Sequence, residues 1–119
     1  MNHQPVLAAE RLDCYRVALQ FAALVTPWLL RMPAHLREQL DRASASIVLN
    51  IAEGVGRRSG PDRARFFTIA RGSAAECAAI LDLLRARAVV GTEMYQDGRT
   101  FLVRIVQMLS RLSAAPGRG

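Results

Sequence analysis

The sequence predicts an all-α protein, specifically a four-helix bundle. Apolar residues recur at three- and four-residue steps almost throughout, and no run shows the strict two-residue alternation of a half-buried strand. Prolines and glycines interrupt the pattern at intervals that leave segments of helical length. The chain has 119 residues, of which 51% are hydrophobic and 22% charged. That is enough for one well-buried core, too little for two ordinary domains, and too apolar for a disordered chain.

The first helix is expected over residues 10–31, with Leu12, Tyr15, Leu19, Ala22 and Leu29 on one stripe and Pro27 and Pro33 marking a kink or an end. The second is expected over 34–53. It places Leu36, Leu40, Ala43, Ile47, Ile51 and Gly54 on one face, with Gly54 positioned as a left-handed cap that ends it. A glycine-rich connector, residues 54–60, leads to Pro61, which suits the first turn of a third helix over 61–88 because its missing N–H would be unpaired there anyway. This helix carries the most regular heptad: Phe66, Ala70, Ser73, Cys77, Ile80 and Leu84. Beyond Val90, Gly91 and Thr92, a fourth helix over 93–113 repeats the alternation through Tyr95, Gly98, Leu102, Ile105, Leu109 and Leu112, and residues 114–119 are expected to fray. Short connections between such helices imply an antiparallel up-down-up-down bundle filling a single domain, residues 1–119.

Two helices carry more apolar surface than one face needs. Ala45, Val48 and Ala52 form a second strip on the second helix, and Phe67, Ala74 and Leu81 flank the heptad of the third. Either these faces are buried between subunits or the bundle has a wider core. A polar ridge of Gln39, Arg42, Ser46, Asn50 and Glu53 runs along the second helix, and Asn50, bordering the core, is expected to have a fixed hydrogen-bond partner.

All 16 basic residues are arginine and there are 10 acidic residues, giving a net charge of +6. Codon usage can explain why arginine replaces lysine, but not why the excess is left unbalanced. Nucleic acid, an anionic membrane surface or an acidic protein would each suit it. Residues 17–30 are too short to span a bilayer and contain Gln20 and Pro27, and the opening residues lack the pattern of a signal peptide, so no membrane role is expected. Cys14 and Cys77 lack metal-ligand or redox spacing and are expected to be reduced thiols in a cytoplasmic protein.

Chemistry is sparse. His3 and His35 have no partners nearby in sequence, no Glu-x-x-His pair exists for a metal in the bundle, and the carboxylates pair along their own helices, as Glu38 with Arg42 and Asp41 with Arg37. No enzyme activity, metal or cofactor is expected. The connector resembles a phosphate loop only loosely, since no strand precedes it. Arg57 and Arg58 beside the start of the third helix could hold a phosphate, or could be solvated residues of a flexible turn. Arg63, Arg65 and Arg71 extend this candidate nucleic-acid-binding set. No aromatic residue is expected to stack with these arginines.

Two stretches carry a family resemblance. Residues 39–54 fit QLxRAxxSIxxNIAEG and residues 66–76 fit FxxIARGSxxE. The chain resembles the four-helix-bundle proteins encoded in intervening sequences of bacterial 23S ribosomal RNA genes. The specific match covers roughly 39–84, with the outer helices agreeing in pattern only. That family includes proteins similar to the accessory variability determinant of diversity-generating retroelements, which form barrel-shaped pentamers and associate with a reverse transcriptase and nucleic acid. The resemblance implies a homopentamer, whose five copies of +6 would carry +30. It also marks Gln39, Arg42, Ser46, Asn50, Glu53, Gly54, Gly72, Ser73 and Glu76 as motif or interface residues. The expected function is non-enzymatic binding of RNA through arginine-rich surfaces of an oligomer. The alternative is a protein-interaction scaffold, for example an accessory protein of a reverse transcriptase.

Overall fold

Four helices account for nearly all of the chain that the computed structural model describes, namely Ala9 and residues 12–114. They are α1 (Asp13–Leu29), α2 (Ala34–Gly56), α3 (Gly60–Ala86) and α4 (Thr92–Ala114). Each packs against its neighbours in sequence, and α1 also packs against α4, so that α1 and α3 are diagonal, as are α2 and α4. Helices of 17 to 27 residues are about 25–40 Å long. The connections, residues 30–33, 57–59 and 87–91, are far shorter than that, so side-by-side packing reverses the chain at every turn. Among the described residues, no helix is long and apolar enough to cross a membrane.

The second helix buries the six expected residues: Leu36, Leu40, Ala43, Ile47, Ile51 and Gly54. It does not end at Gly54. It continues to Gly56, among the described residues no glycine has a positive φ, and Arg57 follows in extended backbone. Gly54 is instead a contact point: a Cβ there would lie 2.8 Å from Cε1 of Phe67 and 3.2 Å from Cβ of Phe66.

The first helix is shorter than expected and turned differently. Leu12 is extended and precedes the first turn, whereas the expected start at Glu10, like His3 and the expected fraying of 115–119, lies outside the described residues. The buried stripe is Cys14, Val17, Ala18, Phe21 and Val25, while Leu19, assigned to the core from its spacing, is 45% exposed. This helix is apolar on nearly every side between Val17 and Val25, so periodicity could not select a face. Pro27 lies inside it. Both Pro27 and Ala23, whose carbonyl loses its donor, are exposed, so water can take the place of the missing bond.

On α3 the core is broader than the heptad. Phe67, Ala74 and Leu81 are buried within the bundle alongside Ala70, Cys77, Ile80 and Leu84. The strip expected to be spare is therefore internal, and Phe66 and Ser73 sit at the margin, half-buried. Ser59 caps the helix, its Oγ accepting from the amide of Asp62 at 3.1 Å, and Pro61 occupies the second helical position. The other end closes at Ala88, which has φ 58°, with the Val89 amide donating to the Leu84 carbonyl at 2.8 Å. On α4, Met94 is buried with Gly98, Leu102, Ile105 and Leu109, leaving Tyr95 and Leu112 at the edge.

Candidate functional site

The turn from α2 into α3 gathers four of the five candidate arginines. Arg57 leaves the end of α2 and folds back over it, its Nη2 3.0 Å from Oε2 of Glu53 and its Nε 3.7 Å from Oδ2 of Asp62. Arg65 reaches Oδ1 of the same Asp62 at 3.3 Å. Arg63 donates from Nε to the Arg57 carbonyl at 2.7 Å, pinning the turn from the α3 side. Arg58 is exposed, and among the described residues it has no ion pair.

An aromatic ring lies among these groups, contrary to expectation. The guanidinium carbons of Arg57 and Arg65 approach the Phe66 ring centroid at 4.7 Å and 4.5 Å. Such contacts hold the planar guanidinium groups in place and are worth about 0.5–1 kcal/mol each at exposed positions. The sequence did contain a hint, because Phe66 directly follows Arg65 in an arginine-rich helix start. What was missing was the position of Arg57, which depends on how the turn folds back.

At the start of α3 the amides of Asp62 and Arg63 donate to the Oγ and the carbonyl of Ser59, Pro61 has no amide proton, and the carboxylate of Asp62 occupies the positive end of the helix. The expected phosphate cradle is thus taken up from within, Arg57 being paired with Glu53 and Asp62, while its buried Nε makes no hydrogen bond among the described residues. What remains open to a ligand is the outer rim, Arg58, Arg63 and Arg65. Four arginines against Glu53 and Asp62 leave the turn with a local charge of +2. Arg71, half-buried, is six residues, about 9 Å, further along α3 and about 120° around it from Arg65, so the structure does not join it to the cluster.

The motif residues divide into a packed set and an exposed set. Ser46 and Ser73 meet across α2 and α3 with their Oγ atoms 2.8 Å apart, and Asn50 donates from Nδ2 to the Ser46 carbonyl at 2.9 Å and to its Oγ at 3.0 Å. Asn50 therefore has the fixed partner its position called for. Together with Gly54 against Phe67 and Glu53 against Arg57, this network lines the α2–α3 seam. Gln39, Arg42, Gly72 and Glu76 face solvent, and a Cβ at Gly72 would meet nothing within 4 Å. The pairs Glu38–Arg42 and Asp41–Arg37 are not formed among the described residues.

Among the described residues no group of three His, Cys, Asp or Glu could hold a metal. Cys14 and Cys77 are both free and buried. Burial pushes the Cys77 thiol up to about 12, with the Glu76 carboxylate adding to the shift, and burial raises Cys14 as well. Thiols held protonated in this way are poor nucleophiles.

The sequence profile of the 23S rRNA-intervening sequence protein family matches residues 10–111. Among solved structures, a protein of unknown function from the S23 ribosomal protein family of Bacteroides thetaiotaomicron VPI-5482 is similar, with a TM-score of 0.77. It is 24% identical, and the match covers 85% of this chain and 98% of that one. At that identity the likeness speaks for the fold. No curated protein matches the sequence.

Proposed function

Because the chain belongs to the family of 23S rRNA-intervening sequence proteins, we propose that it is a non-enzymatic, oligomeric RNA-binding protein of the cytoplasm, assembled as a homopentamer. The observation that carries the RNA reading is the turn between α2 and α3. There Arg58, Arg63 and Arg65 are exposed on the turn and the helix start, and the guanidinium groups of Arg57 and Arg65 lie over the half-buried Phe66 ring. Guanidinium groups pair with phosphate oxygens in a planar, bidentate fashion, and the Phe66 ring holds the exposed Arg65 guanidinium in place for such a contact. Contacts of this type go to the backbone, so affinity depends on salt and sequence preference is low.

Replacing Arg58 and Arg65 with glutamine tests this. Arg57 and Arg63 are left alone because their side chains hold the turn together. Fluorescence anisotropy with a structured RNA hairpin across a salt series should show weaker binding. The slope of log K against log salt should become shallower by about one for each phosphate contact removed, hence by up to about two. An unchanged slope would sink the RNA reading at this turn.

A second reading is a protein-interaction scaffold, with a reverse transcriptase as the expected kind of partner. It is favoured by Leu49, which is apolar and 65% exposed on α2. Recovery of a protein partner that survives nuclease treatment supports the scaffold, and its loss supports RNA.

A further inference from the structure

The outward face of α2 carries an apolar strip that the bundle leaves uncovered. At 100° per residue, Ala45, Leu49 and Ala52 project opposite to the buried Leu40, Ile47 and Ile51. Leu49 is the prominent side chain of this strip, whereas Val48 packs back against the core. On another side of the molecule, α3 and α4 enclose a shallow groove of about 370 Å³. Its floor includes Ala75, Ala79, Val103 and Val106, and Asp82 and Arg99 stand at its rim. Ala75 and Ala79 end at Cβ, so the backbone of an incoming helix can approach closely.

We propose that these two faces bind each other between copies of the chain: Leu49 of one copy seats in the α3–α4 groove of the next. This rests on the reading of the protein as an oligomer and specifies which surfaces make it. The shapes are complementary, a projecting leucine against a floor of alanine and valine. One charge pair matches in spacing, Arg42 against Asp82, whose Oδ1 accepts from the Tyr95 hydroxyl at 2.7 Å and whose Oδ2 is left for a second partner. Arg42 lies seven residues before Leu49 and Asp82 seven residues after Ala75, about 10.5 Å in each case. With α2 antiparallel to the neighbouring copy's α3, seating Leu49 over Ala75 brings Arg42 to Asp82. Among the described residues Arg42 has no carboxylate within 4.0 Å, so its guanidinium is available for that pair.

Strip and groove are different surfaces, so the contact is head-to-tail and every copy offers one of each. Because α2 and α3 are adjacent in the bundle, the two faces are not on opposite sides, and successive copies turn. A turning head-to-tail series is what a closed ring requires.

Two surface substitutions test the pairing: Leu49→Arg blocks the strip and Val103→Arg, at a residue 40% exposed, blocks the groove. Circular dichroism melting checks that both fold. By size-exclusion chromatography with light scattering, the unaltered chain is expected to be oligomeric and each variant a monomer of about 13 kDa. An equal mixture is expected to give a one-to-one complex of about 26 kDa and nothing larger, since Leu49→Arg keeps its groove and Val103→Arg keeps its strip. Oligomeric variants, or a mixture that stays monomeric, would overturn this pairing while leaving the oligomer intact as a reading. A monomeric unaltered chain would overturn both.

Discussion

At Gly54, one hydrogen in place of a methyl sets how closely α2 approaches α3. The Phe67 ring that a Cβ would strike at 2.8 Å is itself buried and cannot swing away. Gly54→Ala gains about 1 kcal/mol of helix propensity and loses about 1–3 kcal/mol to overpacking. The expected outcome is a net loss of stability, measured as a lower urea midpoint with unchanged helical content. The sequence marked this glycine correctly as special and assigned it the wrong task. A glycine late in a helical pattern serves equally as a cap or as a close contact, and only the residue packed against it tells which. Arg57 shows the same limit. Its position beside a helix start suggests a free cation, yet Glu53 one turn back, Asp62 across the turn and the Phe66 ring all engage it.

Among elements, the ends of α3 show what local chemistry can and cannot specify. Its start is written locally, because Ser59 and Asp62 stand three apart with a proline between them, and the observed cap follows that spacing. Its end falls at Ala88, a non-glycine residue in left-handed backbone, although Gly91 lies only three residues on. Left-handed backbone costs alanine about 1–2 kcal/mol, while glycine there gives back about 0.5–1 kcal/mol in unfolded-chain entropy. Ala88→Gly is therefore expected to stabilise the protein by roughly 0.5–1 kcal/mol, read as a higher thermal midpoint. The faces of the helices divide in the same way. On α2, where polar residues alternate clearly with apolar ones, the buried stripe was readable. On α1, apolar all round through its middle, it was not, and on α3, with alanines on most sides, the spacing found Ala70, Cys77, Ile80 and Leu84 but missed Phe67, Ala74 and Leu81.

For the whole molecule, charge and burial make the alkaline range informative. Arginine does not titrate there and the chain has no lysine, which leaves thiols and phenols as the groups that respond. The Cys77 thiol is ordinarily near 9.0 and is raised to about 12 in the folded state. Its contribution is thus fully present below about pH 9 and is lost as pH rises from 9 towards 12, because only the unfolded chain ionises readily in that interval. Denaturant midpoints between pH 8 and 11 are expected to fall for the unaltered chain and to fall less steeply for Cys77→Ala. Sequence alone determined the all-α class, four helices, the buried face of α2 and the two stretches that mark the family, because these depend on spacing and residue type within single segments. Tertiary structure decided which side of α1 faces inward, that Phe67, Ala74 and Leu81 belong to the core, that Arg57 is engaged rather than free, and that Leu49 is left uncovered. Each of those outcomes depends on what a neighbouring helix places opposite the residue, and no periodicity within one helix contains that information.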